Sequence, residues 1–94
     1  MPNFAVEYTY DPAQASLRDA HRPAHRRWLK AAHDDGEVLA VGAFADGSGA
    51  LVVVEAVDEQ AAAALLSRDP FALAGAIAHT RIREWASLYG PFGS

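Results

Sequence analysis

Phe4, Val6, Tyr8 and Tyr10 alternate with Ala5, Glu7 and Thr9, the two-residue period of a strand with one face turned to a core. Asp11-Pro12 ends that pattern, because proline has no N–H to give to a ladder. From Pro12 to Asp35 the period lengthens, and Leu17, His21, His25, Trp28, Leu29 and Ala32 fall on one helical stripe. Pro23 interrupts it. Proline fits a helix's first turn and clashes in its interior, so the pattern predicts a loose or short-helical lead from Pro12 to about Arg22. A helix then starts near Pro23 and stops at Gly36, a residue able to take the left-handed conformation past a last turn.

Val38 to Ala45 and Ala50 to Val57 are apolar runs joined by Asp46-Gly47-Ser48-Gly49, residues suited to the positive φ of a tight hairpin. Asp58 is placed to cap a helix through Glu59 to Leu66 that ends near Ser67. Asp69-Pro70-Phe71 makes a break. Ile77 to Trp85 is a last strand, and residues 86–94 form a tail with no assigned structure.

The order βαββαβ is that of an α+β, ferredoxin-like domain, in which a four-stranded antiparallel sheet carries two helices on one face. A single domain over residues 1–94 is expected, with its core between about 3 and 85. In the central hairpin both alternation sets are apolar: Leu39, Val41 and Ala43 on one side, Val38, Ala40 and Phe44 on the other. Such a sheet needs both faces covered while the helices suffice for one. A homodimer supplies the second cover. The plain alternative is that the tail folds back over the open face.

At 94 residues a monomer buries little surface, which also favours association. No apolar run approaches the roughly 20 residues of a membrane span. The opening residues lack a basic start and long apolar stretch, and there is no cysteine, so a soluble, cytoplasmic protein is expected. A net charge of −4 argues against a nucleic-acid partner, which would need a positive field. The third strand also lacks the exposed aromatics of a sheet that stacks RNA bases.

Few residues invite chemistry. His25 shares its stripe with Trp28 and Leu29 and so faces the sheet; in the first turn of a helix, the dipole would disfavour its protonated form. The plain alternative is a histidine of the core edge bonded to backbone. His21 and His25 have the spacing of a helical metal pair, but the chain has no cysteine, no glutamate stands between the two, and Pro23 disturbs the helix that would align them, so no metal site is predicted. Asp69 precedes proline, which holds it extended and leaves its carboxylate free to reach from a loop. Arg81 and Arg83 share a face of the last strand with Ile77, His79 and Trp85, where they could receive an anion or make ion pairs. Glu55 would need an arginine of a neighbouring strand if buried.

Taken together, Arg22-Pro23-Ala24-His25, Val41-Gly42-Ala43, Glu55-Ala56, Asp69-Pro70-Phe71 with Ala74-Gly75, and Trp85 resemble the YciI-like (YCII-related) family over residues 3 to 85. The resemblance implies a dimeric α+β barrel in which His25 and Asp69 correspond to the family's expected catalytic pair in a cleft. Arg26 departs from it, standing where the family more often has an apolar or aromatic residue, and makes the cleft mouth more basic.

The leading expectation is a cofactor-free acid–base enzyme for a small polar or anionic molecule. His25 would move a proton and Asp69 orient the imidazole, while Arg22, Arg81, Phe71 and Trp28 contact the substrate. The alternative is a ligand-binding or accessory dimer whose pocket holds an anion without turnover.

Overall fold

The computed structural model describes residues 1–86 and 89–92. In chain order it has β1 (Asn3–Thr9), a 3-10 turn (Pro12–Gln14), α1 (Ala15–Asp34), β2 (Val38–Ala43), β3 (Gly49–Glu55), α2 (Glu59–Leu66), α3 (Pro70–Leu73) and β4 (His79–Glu84). The strands pair antiparallel in the order β2-β3-β1-β4, the expected α+β, ferredoxin-like sheet.

The alternation in β1 does what its period requires. Phe4, Val6 and Tyr8 are buried and cluster with Val52 and Val54 of β3, Ala32 of α1, and Ala62, Leu65 and Leu66 of α2. Both long helices therefore cover the same face. The Asp58 carboxylate accepts from the Ala61 N–H and starts α2 as expected.

α1 departs from the expectation. It runs unbroken from Ala15 to Asp34 with Pro23 inside it, and only the three-residue turn before it matches the predicted lead. A proline in a helix interior costs about 3 kcal/mol. Here both halves are pinned by packing, since Arg18, His25 and Ala32 are all buried, and Arg18 also donates to the Asp11 carbonyl at 3.0 Å. Those tertiary contacts outweigh the local penalty, and His25 lies in mid-helix instead of in a first turn.

Asp69-Pro70-Phe71 is also more than a break. The Asp69 side chain accepts from the Phe71 N–H, and Pro70 takes the first position of α3.

On the far side of the sheet lie Ala5, Glu7, Leu51 and Val53, together with Arg81 and Arg83 paired across from β1. Part of the tail folds back here. Asn3 Nδ2 donates to the Phe92 carbonyl at 2.8 Å, and Phe92 joins Leu51, Val53 and Trp85 around a hollow of about 390 Å³. Trp85 remains 40% exposed. The ion pair on this face joins Arg83 to Glu7, and not to Glu55, which is half-buried and has no ion-pair partner among the described residues.

Candidate active site

Asp69 organises the site. It has no exposed surface, so its carboxylate is sealed inside the protein and does not reach out from a loop as its Asp-Pro context suggested. Oδ1 accepts from the Phe71 N–H at 2.9 Å and lies 2.7 Å from His25 Nδ1. Oδ2 accepts from the Tyr8 hydroxyl at 2.9 Å. A buried carboxylate needs this kind of satisfaction, and each of its three partners comes from a different element: α3, α1 and β1.

His25 is thereby fixed in two directions. Its edge meets Asp69, and its face stacks on Phe71 with ring centroids 3.7 Å apart and planes within 1°. With Oδ1 as the acceptor, Nδ1 is the donor, and in the neutral ring that assignment leaves the lone pair on Nε2. The first-turn dipole expected to disfavour the protonated ring does not act here, because His25 lies inside α1; what the structure supplies instead is orientation, from this carboxylate and ring stack. His25 lines a cavity of about 260 Å³ between α1 and the β2–β3 hairpin, walled by Leu29, Val41, Ala43 and Ala50.

Tyr8 was not visible as a site residue. A tyrosine at an apolar position of a strand looks like core, and the one hint was that a buried phenol needs a partner for its hydroxyl. Burial, reinforced by the Asp69 charge and hydrogen bond, pushes its hydroxyl far up from the ordinary value of 10.0. Tyr10 is raised too, first by burial and then by Asp69, against the opposing pull of Arg18 and Arg22.

The expected ligand contacts divide. Arg22 and Phe71 line the cavity, with the Arg22 guanidinium 6.0 Å from the Phe71 ring centroid and ion-paired to Asp19. Trp28 packs against the hydrophobic core and is not part of the cavity wall. Arg81 sits opposite Glu7, on the face of the sheet away from His25. The strand's two-residue period placed Arg81 with His79 and Trp85, as found, but also with Ile77, which precedes β4 and packs against the core instead; it could not say which face the helices cover. No group of three or more His, Cys, Asp or Glu among the described residues could hold a metal ion, and no helix among them is long and apolar enough to cross a membrane.

The sequence model of the YCII-related domain matches residues 3–86. The chain belongs to the YCII-related family. No curated protein matches this YCII-related chain in sequence, but solved structures share its fold. One is a 5-chloro-2-hydroxyhydroquinone dehydrochlorinase from Burkholderia phenoliruptrix in complex with 2,5-dihydroxybenzoquinone. It is 20% identical, with a TM-score of 0.77 and coverage of 98% of this chain and 99% of that one. Another, from Nitrosomonas europaea, is described as a candidate antibiotic biosynthesis monooxygenase. It is 14% identical, with a TM-score of 0.62 and coverage of 95% and 100%. At such identities these likenesses show the fold of the YCII-related chain and leave its chemistry to the residues themselves. Among those, Arg26 also lines the cavity and is exposed at its mouth.

Proposed function

We propose that the protein is a cofactor-independent acid–base enzyme acting on a small polar or anionic molecule. His25 Nε2 takes and returns a proton. Asp69 holds the imidazole in one tautomer and balances its charge while it carries that proton. The observation that carries this reading is the 2.7 Å contact between His25 Nδ1 and Asp69 Oδ1, made beside a cavity that the same ring lines.

The reaction classes within reach are isomerisation, elimination and hydrolysis, which a positioned base accelerates by about 10²–10⁴-fold. A fold neighbour named as a dehydrochlorinase and bound to a dihydroxybenzoquinone supports elimination or proton shift on an oxygen-bearing ring. Arg22, and Arg26 at the mouth, would attract an anionic group, with guanidinium forks matched to a carboxylate.

Two copies are proposed to pair through the open face of the sheet, since Leu51 and Trp85 are not fully covered by the tail. Light scattering at micromolar concentration should give twice the chain mass, and a monomer would refute the pairing.

The catalytic reading is tested by hydrogen–deuterium exchange of carbon-bound protons in a panel of cyclic 1,3-diketones and hydroxyquinones, followed by NMR. His25→Ala and Asp69→Asn should each lose exchange by about 10²-fold or more while ligand binding is largely kept. Equal losses of binding and exchange would favour a binding module.

A further inference from the structure

We propose that Tyr10 is a second substrate-contacting residue, whose hydroxyl donates a hydrogen bond to the oxygen on which negative charge develops as His25 removes a proton. This rests on the acid–base reading of His25 and names what that reading leaves open: the group opposite the base, and hence the substrate class.

Tyr10 follows the last residue of β1 and stands on the same side of the sheet as Tyr8, packed against the core. It lines the cavity that His25 lines. Phe71 organises both side chains, with the His25 ring parallel to it at 3.7 Å and the Tyr10 ring edge-on to it at 6.0 Å. Tyr8 spends its hydroxyl on Asp69; the Tyr10 hydroxyl has no hydrogen-bond partner among the described residues and is not one of their buried, unpartnered atoms. A tyrosine half-buried in a pocket, with its polar end free, is equipped to meet a ligand.

The surroundings favour donation. Arg18 is 5% exposed, and its guanidinium lies 4.5 Å from the Tyr10 ring centroid. It is anchored by a bond to the Asp11 carbonyl and has no acidic partner among the described residues. A buried cation without a counter-ion draws electron density from the ring it covers and favours negative charge nearby. Burial, with Asp69, meanwhile keeps the phenol protonated through neutral pH, so that it serves as a donor and not as a second base. A protonated donor and a base lining one cavity are the pair of groups that enolate formation calls for.

The step balances without a co-reactant. The C–H bond next to a carbonyl breaks, its proton goes to His25 Nε2, and its electron pair moves through the new C=C bond onto the carbonyl oxygen, where Tyr10 donates. Return of the proton to another carbon completes an isomerisation; loss of a leaving group from the enolate completes an elimination. The substrate class is therefore a small enolisable carbonyl compound.

The test uses 4-nitrophenolate as an oxyanion probe and nitrobenzene as its neutral counterpart, titrated at mildly alkaline pH into the wild-type chain and Tyr10→Phe. That hydroxyl carries none of the fold's described hydrogen bonds, so the variant should keep the wild-type melting temperature within a few degrees. Tyr10→Phe should weaken 4-nitrophenolate about tenfold or more, as for loss of a bond to a charged group, and leave nitrobenzene within about twofold. The proposal is overturned if 4-nitrophenolate is unaffected, if both probes weaken alike, or if the wild-type chain binds no 4-nitrophenolate at millimolar concentration. Proton exchange in His25→Ala tests the base separately, so the base can stand while the donor falls.

Discussion

The Tyr8 hydroxyl donates to Asp69 Oδ2 at 2.9 Å, joining a residue 1% exposed to one with no exposed surface. Neither group can turn to water, so each depends on the other. Tyr8→Phe leaves one carboxylate oxygen without its donor and should destabilise the fold by about 1–3 kcal/mol. Denaturant unfolding checks this; an unchanged midpoint would mean that Asp69 finds another partner.

Alkaline pH should expose the same bond. The Tyr8 hydroxyl is raised from its ordinary 10.0 by burial and by Asp69, so above about pH 10 the unfolded chain loses this proton while the native chain keeps it. The unfolded state then binds fewer protons, and stability falls as pH rises, by up to about 1.4 kcal/mol per pH unit for this group. Below that pH both states are protonated, and the group contributes no slope. Unfolding free energies measured from pH 8 upward should show the decline begin near pH 10 and be shallower in Tyr8→Phe.

Gly49 opens β3 opposite Thr9, close to the Tyr8 carbonyl. A Cβ built there would lie 1.8 Å from the Tyr8 carbonyl oxygen, and backbone cannot give way as a side chain can. Gly49→Ala should cost about 3 kcal/mol or more, at or beyond the usual overpacking range, and should disturb the cavity wall at neighbouring Ala50. Chemical denaturation with near-ultraviolet circular dichroism reads both; a variant as stable as the wild type would contradict the close approach.

Pro23 is exposed and interior to α1. Replacing it with alanine removes a helix penalty of about 3 kcal/mol and gives back roughly 1 kcal/mol of unfolded-chain freedom. Pro23→Ala should therefore gain about 2 kcal/mol and raise the melting temperature. A lower melting temperature would show that a proline bend is needed to seat His25 against Asp69.

The sheet was legible because β1 alternates cleanly, and α2 because Asp58 marks its start with a side chain suited to the cap. The continuity of α1 was not legible: the Pro23 penalty is local, whereas the burial of Arg18, His25 and Ala32 that overrides it depends on the sheet beneath. Asp69 shows the same limit. Its Asp-Pro context announces a turn, but a carboxylate that looks free in sequence is claimed by three donors from separate elements. The pairing of His25 with Asp69 came from family resemblance, since no spacing rule connects residues 44 positions apart. Tyr8 was hidden because a phenol and a phenyl ring look alike in a hydrophobic pattern, and Arg81 was misplaced because parity along β4 gives faces without saying which one the helices occupy.

Oδ1 of Asp69 serves two masters, the imidazole of His25 and the Phe71 amide that opens four-residue α3. Fraying of that small helix would withdraw from the ring both its hydrogen-bond anchor and the phenyl it leans on. The durability of the His25–Asp69 contact is thus tied to the local opening equilibrium of α3. A ligand wedged against Phe71 should slow amide exchange along Pro70–Leu73, so that occupancy and helix integrity become one thermodynamic variable.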